Sequence, residues 1–122
     1  MSCTLSVYIS TGYVAKEEDI NLHALAYRMG NKYTSDDVDE LIDMATIDLG
    51  FHIGVYGDFT GGNRIVFFGA EPVKVAEGTW DFSPAVEAPV SGYATFEARK
   101  VYTDVVGRVP DPVATYALCA LF

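Results

Sequence analysis

The chain has 122 residues, half of them hydrophobic and 13% aromatic, and a formal net charge of −9. That length fits one domain with an adequate core, and so apolar a composition excludes a disordered acidic tail, which has little to bury. The carboxylate surplus argues against nucleic acid as a direct ligand, because phosphate is bound mainly by Lys and Arg, and it favours a basic protein partner or plain solubility.

Residues 3–10, CTLSVYIS, alternate Leu5, Val7 and Ile9 with Thr4, Ser6 and Tyr8, the pattern of a strand with one buried face, and Thr11 and Gly12 are expected to end it. Over residues 16–29, Ile20, Ala24, Tyr27 and partly Leu25 recur at helical spacing behind Glu17, Glu18 and Asp19, and Gly30 follows as a stop. A second helix is expected over residues 34–50, TSDDVDELIDMATIDLG. Val38, Leu41, Ile42, Ala45 and Leu49 form its apolar side, and Asp36, Asp39, Glu40 and Asp43 its outer side. Thr34 with Asp37 resembles a capping box, Gly50 can stop the helix in a left-handed conformation, and no Lys or Arg lies inside it.

Residues 51–56 and 64–68 are short β-branched and aromatic runs, and the glycines and polar side chains of the intervening DFTGGN suit a hairpin loop. Residues 72–76 and 79–82 extend the sheet, with a turn at Gly78, and residues 83–89 form an irregular connection around Pro84 and Pro89. Residues 91–107 favour a strand by local propensity, yet only a helix places Ala94, Ala98, Val101, Tyr102 and Val105 on one side, with Phe96 misplaced and Gly107 as its stop. The final run, residues 113–122, is compatible with a helix capped by Asp111 and Pro112 or with a buried strand. The strand is preferred, because a run apolar on both faces suits the protected centre of a sheet. The resulting fold class is α+β: one domain over residues 1–122, a mainly antiparallel sheet with about three helices packed on it.

Candidate chemistry is sparse. His23 and His52 read as structural histidines, sharing no ligand spacing with each other or with Cys3 and Cys119, so neither a zinc site nor a catalytic base is expected. The two cysteines read as reduced, buried thiols. Counted from Asp37, the acidic run has Ile42 where a calcium loop needs glycine and Asp48 at the twelfth position, and its apolar stripe makes the segment helical instead, so no calcium loop is expected; Gly57, Gly61 and Gly62 are followed by neither lysine nor helix, so no phosphate cradle is expected. No catalytic residue, cofactor or metal is assigned. No basic, apolar leader and no run of about 20 apolar residues is present, so a cytoplasmic protein is expected. Tyr56, Phe59, Phe67, Phe68, Trp80 and Phe82 crowd the strand-rich middle, as core under the helices or as anchors on an uncovered face; Phe67 and Phe68 must point to opposite faces.

From residue 51 onward the order is hairpin, further strand, DFSPAVEAPV, helix, then GRVPDPVATY, with Pro89, Gly107, Pro110 and Tyr116 as its punctuation and TSDDVDELIDMA as the preceding helix. Over residues 34–116 this resembles an immunity-protein family of polymorphic-toxin systems, the one that includes immunity proteins to DNA-deaminase toxins. The resemblance implies a non-enzymatic α+β protein that blocks a toxin's active site.

The expectation is therefore an acidic binding protein for a nucleic-acid-acting toxin, with Asp36, Asp39, Glu40, Asp43, Asp58, Trp80 and Asp81 as partner-binding residues. The alternatives are a phage-encoded DNA mimic that inhibits a restriction or CRISPR complex, a small-ligand binder or enzyme with a site between sheet and helices, and a structural subunit whose charge only keeps it soluble.

Overall fold

A computed structural model describes residues 5–30, 38–58, 63–77 and 87–121. The chain is a single α+β domain. Strands β1 (Leu5–Lys16), β2 (His52–Asp58), β3 (Arg64–Gly69), β4 (Val73–Glu77) and β5 (Ala114–Leu121) accompany helices α1 (Leu22–Arg28), α2 (Val38–Asp48) and α3 (Gly92–Val106). The strands run in the order β3-β2-β5-β1-β4, antiparallel except where β2 meets β5. A further pairing of β3 with β1 closes β1, β5, β2 and β3 into a small barrel, with β4 along one flank of β1.

Closure depends on β1 running past the expected end at Thr11 and Gly12. Its first half pairs with β4 and β5, and its second half, from Gly12 to Lys16, pairs with β3. Gly12 faces Gly69 at this change of partner, where the backbones approach so closely that a Cβ on Gly12 would stand 2.2 Å from the carbonyl oxygen of Phe68. The glycine that reads as a terminator is thus the bend that lets one strand serve both sides of a barrel.

The barrel separates two cores, and Phe67 and Phe68 point into different ones, as the strand period requires. Tyr56, Phe67, Leu118 and Ala120 fill the interior, with Tyr8, Val14, Ile65 and Tyr116 against them. The crowded aromatics are divided accordingly: Phe68 is core under the helices, whereas Tyr56 and Phe67 form a second core that neither expectation included. Outside, Tyr13, Ala15, Ile53, Val66 and Phe68 pack against Leu25 of α1, Leu41, Ile42 and Ala45 of α2, and Ala98, Val101, Tyr102 and Val105 of α3. Each fully buried Leu, Ile or Phe among them contributes about 1.5–3 kcal/mol of transfer free energy.

The phase of β1 corrects the sequence expectation. Ser6 and Ser10 are buried, while Leu5 is exposed and Val7 and Ile9 are half-buried, because the even-numbered residues share the barrel interior with Leu118 and Ala120. Ser10 offsets its burial by donating a hydrogen bond from Oγ to the carbonyl of Ala70 at 2.6 Å. Strand β5 takes its expected central place, but only one face is covered: Leu118 and Ala120 are buried and Ala117 and Cys119 exposed. Cys119 is therefore not the buried thiol expected, and Cys3 lies outside the described residues.

Helix α1 is shorter than its periodicity suggests. Lys16 still belongs to β1, residues 17–19 form a 3-10 turn, and the Asn21 side chain accepts from the Ala24 amide at 3.1 Å, starting the helix one residue later. Ile20, Leu25 and Met29 are buried, whereas Tyr27 and His23 are exposed, so the apolar side is rotated from that expected and His23 is no core histidine. Helix α2 buries Leu41, Ile42 and Ala45 as expected, and Gly50 follows with φ 72°; the expected Thr34 cap lies outside the described residues.

Helix α3 follows its periodicity throughout. Ser91 accepts from the Ala94 amide, the five expected residues are buried, Phe96 is exposed, and Gly107 closes the helix at φ 81° by donating its N–H to Thr103. The expected pairing of the two runs is present as the antiparallel hairpin of β2 and β3, and Gly57 has φ 121°. Residues 79–82, expected as further strand, lie outside the described residues. Among the described residues no helix is long and apolar enough to cross a membrane.

Candidate functional site

Helix α2 carries the first candidate surface. Its inner side is fixed by Leu41, Ile42 and Ala45, and helical geometry then turns Glu40, Asp43 and Ile47 outward in one row, with Asp48 beside them. Ile47 is 81% exposed, a large apolar side chain bordered by carboxylates on a helix without a basic residue. An apolar centre with a charged rim is the anatomy of a protein interface.

Asp39, at the start of the same helix, has a structural connection. Its Oδ2 receives Nη1 of Arg64 at 2.9 Å, while Nε of Arg64 donates to Glu17, so one guanidinium ties α2 and the 3-10 turn to β3. The Arg64 side chain is only 16% exposed, and its hydrogen bond to Glu17, followed by those to Asp39, holds its pKa above the ordinary arginine value.

The second candidate feature is a cleft of about 420 Å³ where the barrel is incompletely sealed. Strand β2 pairs with β5 only at Gly57 and Asp58, so its edge from His52 to Tyr56 stands away from β5. Thr46 of α2 serves that edge in place of a strand: its Oγ1 donates to the Ile53 carbonyl at 2.5 Å and accepts from the Ile53 amide at 3.2 Å. Tyr8, Asp43, His52, Tyr56, Glu71 and Pro72 line the rest of the opening.

Period-2 geometry explains the aromatic side of this cleft. His52, Gly54 and Tyr56 occupy one face of β2, and because Gly54 has no side chain the flanking rings meet above it, His52 Nε2 lying 2.8 Å from Tyr56 Oη. A Cβ on Gly54 would stand 2.7 Å from His52 Nε2. Burial lowers the His52 pKa against a smaller opposing influence of Glu71, so the ring is favoured neutral; burial, with Tyr8 and Glu71 adding to it, raises that of Tyr56, which stays a phenol. Tyr8 meets Tyr56 edge to face at 5.7 Å. Among the described residues no group of three or more His, Cys, Asp or Glu is placed to hold a metal ion.

Cations gather elsewhere. Arg28, Phe96, Arg99, Lys100, Thr103 and Asp104 line a groove between α1 and α3, where Arg28 pairs with Asp104 at 3.1 Å and the Lys100 ammonium lies 4.3 Å from the centroid of Phe96.

Of the residues expected to bind a partner, the structure brings Glu40 and Asp43 together on the exposed side of α2 and joins Asp43 to the cleft, while Asp39 faces Arg64. Asp58 closes β2 by its backbone, its side chain being outside the described residues, as are Asp36, Trp80 and Asp81. Sequence reasoning missed Tyr8, Thr46, Ile47 and Glu71 and took His52 as structural. The alternation His52, Gly54, Tyr56 was a usable signal, but nothing local marks Glu71 or Tyr8 as their neighbours. Comparison with protein-family models, curated proteins and solved structures finds no match for the chain.

Proposed function

We propose that this protein is a non-enzymatic binding protein that recognises a basic protein through the exposed side of α2, and that the partner is a nucleic-acid-acting toxin which it neutralises as an immunity protein. The observation that carries the reading is Ile47, exposed among Glu40, Asp43 and Asp48 on a helix without a cation. The acids supply long-range attraction, which raises association rates by about 10–10³-fold, and burial of Ile47 supplies about 1.5–3 kcal/mol at short range. A basic substrate groove, which any enzyme acting on nucleic acid needs, is the complementary surface. Wholesale imitation of a duplex is less well served, because Arg28, Arg99 and Lys100 share a groove between α1 and α3.

The open cleft around His52, with Asp43 and Glu71 at its rim, favours a second reading in which a ligand sits between sheet and helix. The two readings converge if the cleft receives part of the partner.

The test is capture at low salt from the producing cells, with the native chain and the E40K/D43K/D48K variant as parallel baits. A basic protein held by the first and not by the second, whose action on nucleic acid the native chain inhibits, is the expected result. Identical capture by both baits refutes the proposal.

A further inference from the structure

We infer that the cleft between α2 and the open edge of β2 is a receptor for a guanidinium, the head group of an arginine on the partner. The inference rests on the reading of the chain as a receptor for a basic protein, and assigns the point at which that protein inserts.

Charge defines the ligand first. Asp43 and Glu71 stand on the lining from two different elements, α2 and the turn between β3 and β4, and among the described residues the lining contains no Lys or Arg. The described arginines with ion-pair partners have them elsewhere: Arg64 with Glu17 and Asp39, Arg28 with Asp104, Arg108 with Asp19. A cavity bordered by two carboxylates selects a positive group.

The rings define its shape. Tyr8 and Tyr56 meet edge to face, so the opening offers an aromatic surface to a flat cation, and a cation already uses one of these rings: the Lys74 ammonium lies 5.6 Å from the Tyr8 centroid. A guanidinium is planar, stacks on tyrosine and carries five donors, whereas an ammonium is compact and strongly hydrated. Those donors have acceptors in the two carboxylates and in Tyr56 Oη, which burial keeps un-ionised and which His52 orients at 2.8 Å. Thr46 is committed to the β2 edge through both polar groups of the Ile53 backbone.

The experiment uses the full chain and small probes, so it does not depend on any partner. Nitrogen- and carbon-detected resonances of Tyr8, His52, Tyr56 and Glu71 are followed during titration with N-acetyl-arginine-methylamide, its neutral isostere N-acetyl-citrulline-methylamide, and N-acetyl-lysine-methylamide. Saturable shifts at these four residues with the arginine probe, at least tenfold weaker binding of the citrulline and lysine probes, and at least fivefold weaker arginine binding by D43N/E71Q are expected. Both substitutions are at exposed side chains and leave the fold intact, which the unchanged spectrum outside the cleft verifies; Y8L provides a second variant that keeps the carboxylates and removes one ring, and it too should lose the arginine response. Equal binding of citrulline, equal binding of lysine, or no shift at the cleft each overturns the assignment. Such a failure leaves the α2 reading standing, since that is decided by the charge-reversed bait; conversely, arginine binding with identical capture by both baits would retain the cleft and remove the toxin.

Discussion

Replacing Gly12 by alanine should destabilise the protein by about 2–3 kcal/mol although alanine suits an extended strand. The added Cβ would stand 2.2 Å from the Phe68 carbonyl oxygen, 2.8 Å from Cζ of Phe67 and 2.9 Å from Cα of Gly69. Two of these contacts are with backbone, so no rotamer change relieves them and β1 must move away from β3. Overpacking of this kind costs about 1–3 kcal/mol, and loosening the adjacent hydrogen bond costs about 1 more, against a gain of about 0.4–1 from the stiffer unfolded chain. That adjacent bond runs from the Ala70 amide to the Thr11 carbonyl at 3.2 Å. Gly92 supplies the control, because a Cβ there meets nothing within 4 Å; G92A should be neutral or stabilising by up to about 0.5 kcal/mol. Thermal unfolding followed by circular dichroism and calorimetry should show a Tm lower by roughly 6–15 °C for G12A and no fall for G92A. A G12A Tm within about 2 °C of the native value would refute the claim that close approach at this glycine closes the barrel.

Thr46→Val keeps the shape but deprives both the Ile53 amide and carbonyl of their partner, and should cost about 1–3 kcal/mol in urea unfolding, while Thr46→Ser recovers most of that loss. His52 has its folded pKa lowered from 6.5, so below that pH the unfolded chain takes up its proton first; stability from this group is present above 6.5 and is lost as pH falls towards the folded value. Tm should therefore drop between about pH 7.5 and 5.5 more steeply in the native protein than in His52→Gln, which keeps a hydrogen-bonding partner for Tyr56; parallel profiles would contradict it. Ile47→Ala should change stability by less than about 0.5 kcal/mol in chemical denaturation, since the side chain is 81% exposed, yet weaken partner binding by at least about tenfold in calorimetric titration.

What could be read beforehand divides by range. Periodicity placed the buried side of α3 residue for residue, with Gly107 as its stop, because a long amphipathic helix carries its own phase information in residues a few positions apart. The hairpin of β2 and β3 was legible for the same reason, its turn chemistry being local. The phase of β1 was not: Ser6 and Ser10 face inward because of what Leu118 and Ala120 do more than a hundred residues later, and an alternating strand looks the same with either face buried. Gly12 carries a breaker's residue type and a bend's role, and only the pairing with Gly69 tells them apart. At the candidate site, the acidic side of α2 followed from sequence, whereas the ion pair that occupies Asp39 depends on Arg64 in β3, the second strand after the helix. The cleft is assembled from β1, α2, β2 and the turn after β3, so no single stretch announces it.

The central claim, recognition of a basic protein by the carboxylates of α2, is tested most directly by the association rate with the captured protein as a function of ionic strength. The native chain should associate at least about tenfold faster than E40K/D43K/D48K at low salt, and the two rates should converge as salt approaches about 1 M, where the screening length falls to about 3 Å. A native rate that does not change with salt, or that the triple substitution leaves unchanged at low salt, would contradict the account.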